Sequence, residues 1–308
     1  MATVTVYSYT LKHFQSIFLA RKNRGSPVKI GITGSQGILG EALLQEFEDM
    51  ELIPWTRQTL DITNPEQVNN ALSQQLDVII HCAALTNVNF CQENPEEAHK
   101  VNVVGTQHLI EGLTEKKKPL FVYISSTGNY GAWKTDPYTE EDHLVAPTVY
   151  HDSKLTGEKL VADQLENHLI LRTGWLYGGR IEQKKNFVYQ RYLDAKDKDE
   201  IYGDASQIGN PTFVGNVAKQ LRVLLEKKIR GTINCVDTGR ATRLEYVQEI
   251  IRQFDLNCQV IEAPEGHFAR PAPVSPNESA INQKLNELGL NKMRNWKEAL
   301  QDYILTVK

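Results

Sequence analysis

The sequence predicts an α/β fold: a doubly wound parallel sheet followed by a smaller C-terminal lobe. Three observations carry that prediction. Short apolar runs alternate with helical patterns from Lys29 to Arg172, the rhythm of βαβ units around a parallel sheet. The runs are continuously apolar, as in Val78-Ile79-Ile80, which strands covered on both faces require. Three glycines, Gly34, Gly37 and Gly40, separate the first run from the first helical pattern.

Ile30 to Ile32 reads as the first buried strand. The glycines after it suit a tight turn, a close backbone approach to phosphate and tight packing of helix on strand. The helix beginning at Glu41-Ala42-Leu43-Leu44 is expected to run to about Met50. Its N-terminus offers free N–H groups and partial positive charge to a pyrophosphate. A second strand spans Glu51 to Trp55 and ends in Thr56 and Arg57. An NAD-specific fold places an acid there for the ribose hydroxyls, whereas an arginine pairs with a 2′-phosphate. NADPH is therefore favoured, with NADH left open. Asp61-Ile62-Thr63 leads to a helix starting near Asn64-Pro65, with proline in the first turn.

Asp77 to Ala84 is the third strand, and small Ala83 and Ala84 at its end let a cofactor lie close. A helical pattern from Pro95 holds Asn102 beside its apolar stripe. The fourth strand, Leu120 to Thr127, ends in hydroxyls, and catalytic groups of open α/β sheets gather at such ends. Val149 opens a helix carrying Tyr150 and Lys154, which share a face at i,i+4. His168 to Arg172 is the fifth strand. Beyond Gly178 the pattern loosens. Helices are expected at Phe187–Ala195, Val214–Glu226, Arg243–Phe254, Ala280–Leu288 and Trp296–Leu305, with strands at Thr232–Val236 and Gln259–Ile261. The expected division is an extension over 1–27, a dinucleotide-binding domain over 28–178, and a substrate-binding lobe over 179–308 interleaved with the last sheet strands.

Composition bounds the partners. With 41% hydrophobic and 23% charged residues the chain reads as a globular enzyme, and a formal charge of −4 argues against a general nucleic-acid binder. No apolar run reaches the length of a membrane span. Cys82, Cys91, Cys235 and Cys258 lack metal-type spacing, so no metal site is expected and a reducing cytoplasm is the natural compartment. Residues 1–27 carry Lys12, Arg21, Lys22 and Arg24 but no acid. That composition fits an extension outside the fold, and it also fits an organelle-targeting segment.

Together these pieces resemble the extended short-chain dehydrogenase/reductase superfamily, and within it the dTDP-4-dehydrorhamnose reductase family of sugar-nucleotide reductases. The resemblance runs from Val28 to the C-terminus. It rests on Gly34-x-x-Gly37-x-x-Gly40, His81-Cys82-Ala83-Ala84-Leu85-Thr86, Asn102-x-x-Gly105-Thr106 and Tyr150-x-x-x-Lys154-Leu155-x-Gly157-Glu158. Further support comes from Arg172-Thr173-x-Trp175-x-Tyr177-Gly178, Gln207-x-Gly209-x-Pro211-Thr212 and Ala269-Arg270-Pro271. One departure stands out. The family follows its catalytic threonine with an Asp-Tyr-Val-Phe-like run, whereas Thr127 precedes Gly128-Asn129-Tyr130-Gly131.

The resemblance implies a Rossmann-type reductase of a 4-keto deoxysugar nucleotide. It makes Tyr150 the general acid, Lys154 the cation that lowers its pKa and holds the nicotinamide ribose, and Thr127 the hydroxyl on the substrate oxygen, with Ser126 beside it. The expected cofactor wall comprises Gly34, Gln36, Gly37, Ile38, Leu39, Gly40, Arg57, Asp61, Ile62, Ala83, Ala84, Thr86 and Asn102, with Tyr150 and Lys154. Trp175, Asn186, Gln207 and Arg270 are expected at the sugar nucleotide, Arg270 on its diphosphate. A homodimer stays open. Two other readings share these motifs: an epimerase or dehydratase that retains its nicotinamide, and a cofactor-binding regulatory subunit like that of methionine adenosyltransferase.

Overall fold

The computed structural model describes residues 27–113 and 118–308; apart from Pro27, the expectations for residues 1–27 fall outside them. Six strands form the central sheet: β1 (Lys29–Thr33), β2 (Glu51–Trp55), β3 (Val78–His81), β4 (Leu120–Ser126), β5 (His168–Thr173) and β6 (Gly231–Cys235). Their order is β6-β5-β4-β3-β1-β2, and every pairing is parallel. The winding reverses between β1 and β3, whose C-terminal ends, Thr33 and His81, lie in register. Such a switch point opens a crevice above the strand ends.

Alternation along the strands explains the continuous apolar runs. Ile30, Ile32, Val78, Ile80, Val122, Leu169 and Leu171 face one layer, with Leu39 and Leu43 of helix α1 (Ile38–Glu46). Ile79, Phe121, Tyr123 and Ile170 face the other, against Val68, Leu109, Ile110 and Val161. Val161 comes from α2 (Val149–Gln164). Both faces bury apolar side chains, so no polar alternation survives.

α1 ends at Glu46, short of the expected Met50, because Phe47 turns into the core and its carbonyl accepts from Met50 N at 2.9 Å. The region beyond Gly178 serves both layers. α3 (Phe187–Ala195), α5 (Arg243–Phe254) and α6 (Trp296–Val307) build a second core with Trp175, Tyr177, Tyr246, Ile250 and Tyr303. By contrast, α4 (Val214–Lys227) packs on the main sheet and β6 joins it. Five short strands escape the sequence reading. Trp175–Tyr177 pairs with Pro211–Phe213, Ile208–Gly209 with Ala241–Thr242, and Glu200–Gly203 with Gln259–Glu262. Among the described residues no helix is long and apolar enough to cross a membrane.

Candidate active site

The glycine turn divides its labour. Gly34 has φ +67°, and a Cβ there would stand 2.7 Å from the Ala83 nitrogen; one on Gly40 would stand 2.4 Å from the Gly34 oxygen. Both are fixed by packing at the β1–β3 switch point. Gly37 is different. It caps α1 with no side-chain hydrogen bond, and a Cβ there would approach only the Gly34 oxygen, at 3.2 Å. The first N–H groups of α1 therefore keep their donors for a ligand, and a bare glycine lets it come close. This cradle fits the pyrophosphate of a dinucleotide.

A cleft of about 1220 Å³ runs from this turn into the lobe. It is lined by Gly34, Gln36, Gly37, Ile38, Leu39, Gly40, Arg57, Asp61, Ile62, Ala83, Ala84 and Thr86, then Ser126, Tyr150 and Lys154, then Trp175, Gln207 and Arg270. Asp61 is spent locally: it accepts from Thr63 N (2.9 Å) and Thr63 Oγ1 (2.8 Å), bonds that hold its carboxyl below the usual range. Residues 180–185 strap the lobe to the glycine turn. Gln183 Nε2 donates to Gln36 O at 3.2 Å, Arg180 pairs with Glu41 at 2.9 Å, and Lys185 Nζ donates to Thr86 Oγ1 at 2.8 Å.

Three expected site residues lie outside the cleft lining, each for a definite reason. Asn102 is buried, and its amide is used up: Leu85 N donates to Oδ1 (2.7 Å), while Nδ2 donates to Leu85 O (3.1 Å) and Ser153 Oγ (2.9 Å). It shapes the loop after β3 instead of lining the cleft. Asn186 is buried as the cap of α3, accepting from Tyr189 N at 3.1 Å and donating to Tyr303 OH at 2.6 Å. Thr127 is also buried, and its hydroxyl donates to Thr173 O at 3.4 Å. The hydroxyl at the cleft is that of Ser126. Its Oγ accepts from Gly128 N at 3.1 Å, which leaves its proton free to be donated into the cleft.

The strand ends are locked by neutral histidine. Thr33 Oγ1 accepts from Ala83 N (3.2 Å) and meets His81 Nδ1 at 2.8 Å; His81 Nε2 meets Thr106 Oγ1 at 3.1 Å, and that hydroxyl donates to Asn102 O at 2.6 Å. Each hydroxyl has one proton, so Thr33 donates to Nδ1 and Nε2–H donates to Thr106. Burial lowers the His81 pKa to about 3, which keeps the ring uncharged. Below β4, Glu158 takes the Arg172 guanidinium (Nε to Oε1, 3.1 Å) and the Ser125 hydroxyl (2.8 Å), while Arg172 Nη1 donates to Tyr130 OH at 2.9 Å. This network fixes the Ser125–Tyr130 turn from beneath.

Tyr150 and Lys154 stand one turn apart on α2, whose N-cap is Thr148. Lys154 is buried with Nζ 4.0 Å from the Tyr123 ring centroid, and burial brings its pKa down to about 7. Burial pushes the Tyr150 phenol up, and Cys91 and Glu278 push it the same way. The expected lowering of the phenol by Lys154 is therefore not what this arrangement produces. The lysine sits on Tyr123, and the phenol of Tyr150 stays protonated.

Among the cleft residues that sequence reasoning missed are His151, Lys185, Arg243, Tyr246 and Glu278. His151 adjoins Tyr150 and was visible in principle. Arg243, Tyr246 and Glu278 come from the lobe, where no motif marks them. Trp175 Nε1 donates to Glu278 Oε2 at 2.8 Å.

The sequence model of the RmlD substrate binding domain family matches residues 28–308. The chain belongs to this family. Its relatives include a dTDP-4-dehydrorhamnose reductase of Mycobacterium tuberculosis, 28% identical over 284 residues, with 90% of this chain and 92% of that one covered. Among solved structures it is similar to a dTDP-4-dehydrorhamnose reductase from Clostridium acetobutylicum, with 30% identity and a TM-score of 0.86 over 91% of this chain and 99% of that one. It is also similar to the Bacillus anthracis dTDP-4-dehydrorhamnose reductase in complex with NADP, with 27% identity, a TM-score of 0.86, and 91% and 100% covered. The RmlD family membership and the Rossmann-type sheet thus agree with the resemblance read from the motifs.

Proposed function

We propose that the protein is an NADPH-dependent reductase of a 4-keto deoxysugar nucleotide, of the kind that forms dTDP-L-rhamnose from dTDP-4-dehydrorhamnose. The observation that carries this reading is one continuous cleft joining an open phosphate cradle at Gly37 to the half-buried, protonated phenol of Tyr150. Relatives in the family bear the name of that reductase, and one is a complex with NADP. Four free cysteines suit a reducing cytoplasm.

The residues divide the work. Gly34, Gly37 and Gly40 with the α1 N-terminus hold the cofactor pyrophosphate, and Arg57 takes the 2′-phosphate. When bound, the nicotinamide supplies the hydride. Tyr150 donates its phenolic proton to the oxygen that becomes a hydroxyl. Ser126 donates a hydrogen bond to that same oxygen and orients it. Lys154 steadies the ribose from inside α2, with its Nζ held over the Tyr123 ring. Trp175 and Gln207 shape the sugar end.

The test is stoichiometric oxidation of NADPH in the presence of dTDP-4-dehydrorhamnose, with the deoxysugar alcohol identified as product. Epimerases and dehydratases regenerate their cofactor and would leave added NADPH untouched. A protein that binds NADPH but oxidises none with any keto-sugar nucleotide, and that co-purifies with a synthetase, would be a regulatory subunit instead.

A further inference from the structure

Residues 180–185 cross the dinucleotide half of the cleft from one lip to the other. On one lip, Gln183 Nε2 donates to Gln36 O of the glycine turn at 3.2 Å. Beside it, the Arg180 guanidinium takes both carboxylate oxygens of Glu41, in the first turn of α1, at 2.9 and 3.2 Å. On the other lip, Lys185 Nζ donates to Thr86 Oγ1, in the segment after β3, at 2.8 Å. Gln36 and Thr86 both line the cleft. They follow β1 and β3, the strands on either side of the switch point. The strap therefore bridges the crevice in which Gly37 presents its open N–H groups.

The strap has a fixed neck and a lightly held tip. The chain enters it through Gly178 and Gly179, at φ +127° and +82°, a conformation that suits glycine. At the far end Asn186 is buried. Its Nδ2 donates to Arg180 O at 3.1 Å and to Tyr303 OH at 2.6 Å, and that hydroxyl donates to Gly179 O at 2.8 Å. The two ends are thus pinned to each other and to α6. The tip is different, because its ties to Gln36, Glu41 and Thr86 are all exposed to solvent. Exposed polar contacts are individually weak in water, so the tip can lift while the neck stays in place. Lys185 has one more property. It lines the cleft, and among the described residues no carboxylate forms an ion pair with it. Its ammonium has three donors and spends one on a neutral hydroxyl. The glycine cradle offers a pyrophosphate N–H groups and partial charge, and Lys185 adds a full charge on the strap.

We propose that residues 180–185 are a latch over the cofactor pyrophosphate: Lys185 pairs with the phosphates once the cofactor is bound, and the latch lifts for the cofactor to enter or leave. The latch rests on the dinucleotide reading above and concerns how the cofactor is held, not which sugar is reduced. A ligand that meets Lys185 only in the closed form shifts the strap toward closure. The weak ties to Gln36, Glu41 and Thr86 set how readily it opens.

Stopped-flow mixing and displacement, read by NADPH fluorescence, give the entry and exit rates of the cofactor without any sugar nucleotide. Parent, Gln183→Ala and Lys185→Met are compared, with melting temperature as a check on the fold. Gln183→Ala cuts the tie to Gln36 and removes no charge. Entry and exit should both quicken by about two- to fivefold, the scale of an exposed polar contact, with affinity little changed. Lys185→Met should speed exit by about 10–100-fold, the scale of a hydrogen bond to a charged group, and weaken the affinity. It should also flatten the salt dependence of NADPH binding. Adenosine 2′,5′-bisphosphate has no pyrophosphate to cover, so its exit rate should match the parent's in both variants. NADPH exit within twofold of the parent in Lys185→Met would overturn the latch. So would unchanged entry and exit in Gln183→Ala, or equal losses for adenosine 2′,5′-bisphosphate. Each of these results leaves the reductase reading intact; that reading fails separately, when NADPH is not oxidised with a keto-sugar nucleotide. A parent that binds no NADPH would end both.

Discussion

Gly128 and His151 compete for one volume: a Cβ on Gly128 would stand 2.1 Å from Nε2 of His151. The ring cannot step aside freely. His151 N donates to Thr148 Oγ1 at 3.2 Å and its Nδ1 meets the same hydroxyl at 3.0 Å, so the imidazole is tied to the cap of α2. The turn that carries Ser126 and the helix that carries Tyr150 are thus fitted together through a glycine and a histidine.

Adding one methyl there should be felt. Gly128→Ala is expected to cost about 1–3 kcal/mol of stability by overpacking and to slow turnover by displacing His151 or the Ser126 turn. In a His151→Ala background the same substitution should cost far less. Denaturant unfolding of the four proteins in this cycle measures the coupling; equal costs in both backgrounds would refute the steric relationship.

The two neighbouring hydroxyls should separate cleanly. Ser126→Ala removes the donor at the cleft, and kcat should fall by about 10²-fold, the lower end for a lost oxyanion donor, with NADPH affinity unchanged. Thr127→Val deletes a bond to the Thr173 carbonyl; it should lower the melting temperature and leave kcat close to the parent's. Steady-state kinetics on both variants decides which hydroxyl works on substrate.

These cases show what could and could not be read from the chain. The strand-glycine-helix opening, the parallel sheet and the Tyr150–Lys154 face follow from local patterns: apolar runs, missing Cβ atoms and helical spacing. Thr127 and Ser126 are neighbours at a strand end, where a step of one residue reverses the side-chain direction, and it is Ser126 that lines the cleft. With Ser126 as the cleft hydroxyl, the run after it becomes Thr127-Gly128-Asn129-Tyr130. The aromatic at its fourth place is then restored, while Thr127, Gly128 and Asn129 stand where the family run has Asp, Tyr and Val, and the glycine makes room for His151. Asn102 and Asn186 illustrate another limit. A motif marks them, but only the fold shows that their amides are consumed by Leu85, Ser153 and Tyr303. No motif marks Arg243, whose guanidinium is placed by stacking on Trp175, far away in sequence.

Cofactor choice should rest on Arg57, which stands at the cleft after β2 where no acid is present. Arg57→Ala should weaken NADPH by roughly 1–3 kcal/mol, the scale of a hydrogen bond to a charged group, and leave NADH nearly unchanged. Equilibrium titration with both cofactors tests this; equal losses would remove Arg57 from the 2′-phosphate.

Lys154 should make the cofactor-free protein sensitive to pH. Burial lowers its pKa from 10.5 to about 7 in the folded chain. Between those values the unfolded chain binds the extra proton, so stability rises with pH across the window, and the penalty is full below about pH 7. Lys154→Met removes the penalty. It should raise the melting temperature of cofactor-free protein more at about pH 6 than at about pH 10, while slowing reduction and loosening NADPH. An equal shift at both pH values would mean that the lysine is not the titrating group.

The central claim is that the phenol of Tyr150, half-buried in the cleft wall, delivers the proton. Tyr150→Phe keeps the ring and removes the oxygen, and the glycine cradle is untouched, so NADPH affinity should barely change. The measurement is single-turnover oxidation of bound NADPH by dTDP-4-dehydrorhamnose in this variant. The account predicts a rate about 10²–10⁴-fold below the parent, the usual contribution of a positioned acid; a rate within threefold of the parent would contradict it.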